Sequence, residues 1–320
     1  MGVCSELRGI DVGEQNEVIR AYVSRCEERG FDSVWVNDHF HQIRPQDSGG
    51  SLEAWTVLSA ISQYTSRVKL GQLVMCVPFR NPALTAKMAT TLDVLSHGRV
   101  IVGLGAGWYE SEFDGYGYPF LPLKDRLVAL SEAVVIIRQM LDGDQQEFVG
   151  EHYRIDRPES EPSPVQPHVP ILLGGRGKTT LRLVAQHGDM ANFSGSLEEF
   201  AEAQSRLDEY CDEYGRDPAT IERSWMTIGV LVRKTQREVD DVIEEWRAND
   251  DVRLIRLQNR SCIVGTPNQV IEVLQGYVDL GCEHFMLTFS EAPSTDVLDL
   301  FAEAVMPAFV VVPSPEHGQA

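Results

Sequence analysis

The sequence predicts an α/β fold of the (β/α)8 TIM-barrel type, carried by one domain over residues 1–312, with a disordered tail over 313–320. Three observations carry that expectation. Strand-like and helix-like stretches alternate from residue 14 to residue 309, and no linker or second composition regime divides them. With 320 residues and 43% apolar content, the chain can fill one large core. The run Val100-Ile101-Val102-Gly103-Leu104-Gly105 has the length and branching of a strand buried on both faces, as a closed parallel sheet requires.

Each element has a local reason. Glu14 to Arg29 reads as a helix closed by Gly30, and Phe31 to Val36 as the strand that follows, with Asp38-His39 hanging from its C-terminal end. Ser51 is the expected N-cap of a second helix to Tyr64, which leads into a strand from Val68 to Val74. Asn81-Pro82, a cap with proline at the first helical position, opens a helix to Ser96. Gly98 supplies the left-handed position that ends this helix. The strand after Arg99 runs into Gly103, Gly105 and Gly107, alternate glycines that would let the backbone lie flat against something planar, with Trp108 as a wall. The stretch between Trp108 and Pro170 is too long for one connection. It holds an amphipathic helix near Lys124 to Leu141 and a hairpin-like Phe148 to Ile155, so 109–169 reads as an insertion over the barrel mouth after the fourth strand.

The chain then returns to a short strand, Ile171 to Leu173, followed by Gly174-Gly175-Arg176-Gly177-Lys178-Thr179-Thr180 and a helix ending at Gly188. Ser196 with Glu199, Thr235 with Glu238, and Thr266-Pro267 with Gln269 are capping boxes that start later helices. These alternate with strands near Asp189 to Asn192, Ser224 to Val232 and Glu283 to Phe289, and Ser294 to Phe309 closes the chain. Only seven strands are visible in this way. Because Gly2-Val3-Cys4 alone precedes the first helix, the first strand is expected to be truncated or missing.

A formal charge of −20, from 28 Lys+Arg against 48 Asp+Glu, argues against nucleic acid and against an anionic membrane surface. An anionic ligand must therefore be held by a local basic spot. Six scattered cysteines without a C-x-x-C pair fit reduced thiols and a cytoplasmic location, and neither a signal peptide nor a membrane-spanning run is visible.

In such a barrel the reactive residues stand at the C-terminal ends of strands. That selects Asp38-His39, the Val74 to Pro78 corner, Gly105 to Trp108 and Gly174 to Lys178. His39 is a proton carrier near neutral pH. A metal reading of His39 and His41 is weak, because alternate residues on an extended chain point apart, and no metal is expected. The Gly174 to Thr180 loop is not a P-loop, which needs glycine where Leu172 stands. Its glycines before a helix, with Arg176 and Lys178, still suit an anion. The spacing Gly103-x-Gly105-x-Gly107 is not the dinucleotide fingerprint, and no G-x-S-x-G occurs. Glu110 and Glu112 suggest a glycosidase pair at first sight, although neighbouring carboxylates on a loop are more often solvated.

Together, Gly30-Phe31-Asp32-Ser33-Val34-Trp35 through Asp38-His39, Phe79-Arg80-Asn81-Pro82, Leu92-Asp93-Val94-Leu95-Ser96-x-Gly98-Arg99, Gly103 to Trp108, Gly174-Gly175-x-Gly177 and Val264-Gly265-Thr266-Pro267 resemble the luciferase-like monooxygenase superfamily. The Gly105-Ala106-Gly107-Trp108 version resembles its branch that uses the deazaflavin coenzyme F420. The resemblance implies an oxidoreductase that moves a hydride between the deazaflavin and a small organic substrate, with FMN and a separate reductase, or a non-catalytic flavin-binding barrel, as the alternatives. His39 matches the family's active-site histidine, and catalytic roles are expected at His39, Trp108 and Glu110. The resemblance also implies cofactor contacts at Asp38, Leu73, Val74, Cys76, Gly105, Ala106, Gly107, Gly174, Gly175, Arg176 and Gly177, a strained non-prolyl peptide bond near Leu73-Val74 against the ring, and a homodimer. Trp108 departs from the pattern, standing where some deazaflavin dehydrogenases carry a glutamate acid.

Overall fold

The structure, a computed structural model, describes residues 1–4, 13–41, 43, 50–144, 146–251, 253–257 and 261–309. The tail at 313–320 lies outside the described residues. Eight parallel strands close a barrel: β1 (Gly2–Cys4), β2 (Ser33–Val36), β3 (Lys69–Gln72), β4 (Val100–Gly105), β5 (Ile171–Gly174), β6 (Met190–Phe193), β7 (Glu222–Val232) and β8 (His284–Phe289). Each pairs with its neighbours in sequence, and β8 returns to β1. Helices α1 (Gln15–Glu28), α2 (Ala54–Tyr64), α3 (Pro82–Leu95), α5 (Leu123–Leu141), α6 (Lys178–His187), α7 (Leu197–Tyr214), α10 (Pro267–Asp279) and α11 (Asp296–Ala304) are among those that follow the strands, and α4 (Glu110–Tyr116), α8 (Gln236–Ala248) and α9 (Arg253–Leu257) fill out connections. Val34, Val36, Leu70, Val102 and Leu104 face the helices, whereas Trp35, Ile101, Leu172, Met190 and Met286 fill the barrel interior.

The count of seven strands is corrected to eight. Gly2 and Val3 pair with Met286 and Leu287 on one side, and Gly2 to Cys4 pair with Ser33 to Trp35 on the other. Three residues suffice because the neighbouring strands clasp across them. Ser33 Oγ and His284 Nε2 lie 2.8 Å apart, and His284 Nδ1 lies 2.9 Å from Glu222 Oε1. Glycine is required beneath that clasp, since a Cβ on Gly2 would stand 2.1 Å from Ser33 Oγ.

The Leu95 to Trp108 stretch proves to be a structural knot at one end and a packing surface at the other. Arg99 is buried and donates Nε to Ser96 O, Nη1 to Thr65 Oγ1 and Val68 O, and Nη2 to Ser62 O and Thr65 O, at 2.7–3.0 Å. One guanidinium thus joins the end of α2, the start of β3 and the end of α3. Lysine cannot reproduce that fork. Arg99→Lys is therefore expected to cost about 3 kcal/mol of stability, several net hydrogen bonds with their carbonyls left buried, as read from urea unfolding.

Three local expectations change. The cap of α2 is Glu53, whose carboxylate accepts from Trp55 and Thr56 N–H, rather than Ser51. The strand expected over Val68 to Val74 stops at Gln72; Met75–Cys76 then pairs separately with Leu104 and Gly105, and the non-prolyl Leu73-Val74 peptide bond is cis. Within 109–169, α5 packs between α3 and α6 in the outer ring, and among the described residues of this segment Tyr109 and α4 line the mouth. An 18-residue apolar stripe is a helix's ordinary signature in either place, which is why sequence alone put the whole segment over the opening. The hairpin Phe148–Val149 with Arg154–Ile155 and the capping boxes of α7 and α8 form as expected. No helix among the described residues is long and apolar enough to cross a membrane.

Candidate active site

The C-terminal ends of the strands open into a cavity of about 380 Å³, a volume in the range of small-molecule sites. Its wall is built by Asn37 to His39 after β2, Leu73 to Cys76 after β3, Gly107 to Tyr109 after β4, Gly174 to Arg176 from β5, Asn192 to Ser194 from β6, and Met226 and Ile228 from β7. Phe79, Glu112 and Phe113 complete one side. Four strand ends picked out by sequence therefore share one mouth.

His39 is held by a partner that sequence reasoning passed over. Its Nδ1 lies 2.9 Å from Glu112 Oε2, and Glu112 Oε1 accepts from Phe40 N–H at 2.6 Å and His41 N–H at 3.3 Å. The Glu112 side chain is 2% exposed. Burial alone would raise its pKa, but the His39 bond and charge and the two amides outweigh that and hold it below the ordinary glutamate value. An ionised Glu112 requires Nδ1 to carry a proton, which leaves Nε2 as the ring nitrogen free for chemistry. The Trp108 ring stands edge-on to the imidazole at 5.8 Å and is 62% exposed, forming the outer lip of the cavity.

Of the two carboxylates expected near the site, Glu112 meets His39, and Glu110, the one expected to be catalytic, does not line the cavity. Both are on α4, two residues apart and so on opposite sides of a helix, and Glu110 is exposed and away from the cavity. A glutamate at the third position of the helix, four places after Trp108, is the signal that was present, but its burial is a tertiary fact.

Asp38 lines the cavity, yet its oxygens are committed. Oδ2 accepts from Cys76 N–H at 2.9 Å and Arg80 Nη1 at 2.7 Å, and Oδ1 from Arg80 Nη2 at 2.8 Å. It pins the Met75–Cys76 segment beside the site. Burial, followed by the charges of Asp38 and Glu112, pushes the Cys76 thiol well up, so it is a neutral wall.

The glycines at the end of β4 and just beyond it do not lie against an open plane. A Cβ on Gly103 would come 1.9 Å from Gln72 O, on Gly105 2.6 Å from Val74 Cγ2, and on Gly107 2.5 Å from Cys76 Sγ. They make room for the Gln72 backbone and for the Val74 and Cys76 side chains, and it is that segment's Leu73 and Val74 that reach the cavity. Gly105 and Ala106 are not on the described lining; Gly107 is.

At the opposite side, Gly175 adopts φ +127° and its N–H is spent on Asn192 O at 3.1 Å, contrary to the expectation that it faces an anion. Gly177 caps α6 with no side chain and open space around it, so the first amides of α6 are unscreened, although Gly177 itself lies just outside the lining. Arg176 lines the cavity with Nη1 paired to Glu199 Oε1 at 2.8 Å.

Fold and site together define a parallel (β/α)8-barrel protein with a cavity at its C-terminal mouth. Residues 8–254 match the family model described as luciferase-like monooxygenase, and the chain belongs to that family. It is 30% identical over 312 residues to an F420-dependent glucose-6-phosphate dehydrogenase of Intrasporangium calvum, covering 88% of this chain and 92% of that one. The enzyme of the same description from Kineococcus radiotolerans is 30% identical over 310 residues, 89% and 91% of the two chains. An F420-dependent secondary alcohol dehydrogenase solved with an F420-acetone adduct shares the fold at a TM-score of 0.81 and 24% identity, over 97% of this chain and 98% of that one.

Proposed function

We propose that the chain is a coenzyme F420-dependent oxidoreductase that moves a hydride between the deazaflavin and a small, uncharged organic substrate. The observation that carries the reading is the His39–Glu112 pair on the wall of a cavity bounded by Leu73 and Val74 and by the Gly174 to Arg176 loop. The relatives' use of F420 supports the choice of coenzyme. The residues fit such a group: a Cβ on Gly174 would sit 3.0 Å from Val74 Cγ1, so that side of the site stays narrow and flat only with glycine, and the unscreened start of α6 suits a phosphate.

Bound F420 supplies the ring carbon that gives or takes the hydride. The protein's own work is the proton. Glu112 holds Nδ1–H, and Nε2 takes a proton from a substrate O–H as hydride leaves the adjacent carbon, or returns it in the reverse direction. Phe79, Phe113, Trp108 and Ile228 line the cavity with apolar surface that limits water there. Arg176 is already ion-paired and the other charged side chains on the described lining, Asp38 and Glu112, are acidic, which supports an uncharged substrate over a phosphorylated sugar.

The test is a fluorescence titration with F420 and with FMN, followed by turnover with glucose 6-phosphate and with neutral alcohols. F420 is expected to bind and a neutral alcohol to be turned over. Binding of FMN alone would replace this reading with a monooxygenase, binding of neither with a non-catalytic barrel, and efficient use of glucose 6-phosphate would overturn the substrate class.

The same titration reads the anion loop. Glu199 competes with a bound phosphate for Arg176. Glu199→Gln keeps the α7 capping box, which accepts Gln at that position, and is expected to tighten F420 binding by about three- to tenfold at low salt. Unchanged affinity would place the phosphate away from Arg176.

A further inference from the structure

We infer that Asn192 is a fixed hydrogen-bond acceptor for the ring N–H on the pyrimidinedione edge of the coenzyme, and so sets which edge of the ring enters the barrel. The inference rests on reading the cavity as a coenzyme site. Asn192 stands on β6, is 4% exposed, and lines the cavity beside Gly174, its register neighbour on β5. Its Nδ2 lies 3.0 Å from Ser224 Oγ and 3.2 Å from Met286 Sδ.

Those two partners fix the orientation of the amide. The Ser224 hydroxyl proton is directed to Ala191 O at 3.0 Å, which leaves Ser224 Oγ an acceptor toward Asn192, and a thioether has no proton to give. Both positions therefore demand a donor, and reversing the amide would set its oxygen against two acceptors. Oδ1 is the atom that remains, and it has no partner among the described residues. It is not sealed away from the cavity, unlike the buried side-chain atoms of Gln72 that also lack partners. A carbonyl oxygen held in a nearly dry wall with nothing donating to it is a site for an N–H or O–H.

The barrel decides between coenzyme and substrate as the donor. β2 and β6 are four strands apart in a ring of eight, so His39 and Asn192 face each other across the cavity. On the coenzyme reading a tricyclic ring lies between these two walls, with one edge toward each. On the polar edge of a deazaflavin the group with a proton to donate is the imide N–H between two carbonyls, and it matches a lone acceptor.

The experiment compares F420 with F420 methylated at that ring nitrogen, by fluorescence titration against wild type and Asn192→Leu. Wild type is expected to bind the methylated compound about tenfold more weakly. Asn192→Leu is expected to bind unmodified F420 about tenfold more weakly and to distinguish the two compounds by less than about threefold. Equal affinities in wild type would overturn the assignment, as would the same methylation penalty in both proteins. Should Asn192→Leu not fold, as judged by its melting curve, the wild-type comparison still decides. Failure of wild type to bind F420 at all would remove the coenzyme reading as well, and is seen in the first titration, separately from any methylation effect.

Discussion

His39→Ala is expected to lower turnover by about 10²–10⁴-fold while the dissociation constant for F420 changes by less than about threefold. The asymmetry follows from the geometry. Nδ1 is spent on Glu112, so what the imidazole offers the cavity is a proton site at Nε2, and that matters most when charge develops in the transition state. Loss of binding and turnover in equal measure would show that His39 only positions a ligand. Glu112→Gln separates the pair further. A neutral amide accepts from Phe40 N–H as before but no longer requires a proton on Nδ1, so turnover should fall on the order of tenfold and its pH profile should move while F420 binding stays intact. The pair also marks acid stability. Glu112 has a folded-state pKa below its unfolded one, so its contribution is present above the unfolded value and is lost as pH falls through the lowered folded value. Glu112→Gln should flatten that acid limb in a melting series between pH 6 and 3.

Gly103→Ala is expected to be the most damaging single methyl in the chain, destabilising by about 3 kcal/mol or preventing folding. Its Cβ would come 1.9 Å from Gln72 O, a backbone atom fixed by the β3 ladder that cannot swing aside as a side-chain end does. Gly177→Ala is the matching control. Gly177 has φ −72° and no atom within 4 Å of an added Cβ, so its melting temperature should stay within about 2 °C of wild type. A Gly103→Ala protein as stable as Gly177→Ala would mean that the Gln72 to Cys76 backbone is not packed against β4 as described.

The contrast between those glycines shows where reading the chain succeeded and where it stopped. The order of strands and helices was legible because its signals are local: the Asn81-Pro82 start of α3, the capping boxes at Ser196 and Thr235, and the left-handed Gly30 and Gly98 each act within one turn of backbone. The four strand ends that share the cavity were legible for a related reason, since a parallel barrel puts all its strand ends on one face once the strands are counted.

What sequence by itself determined, then, is the barrel, its mouth and the candidacy of His39, all of which follow from periodicity, caps and topology. Tertiary structure alone decided which groups meet there. Glu112 rather than Glu110 is buried because of how α4 meets the backbone at Phe40 and His41, some 70 residues earlier. Three residues make a first strand because Ser33 and His284, 251 residues apart, close over Gly2. The Asn192 amide is oriented by Ser224 and Met286, 32 and 94 residues away. A propensity or a cap is set by neighbours along the chain, but burial, hydrogen-bond direction and the pKa of a carboxylate are set by whatever folding brings against it through space.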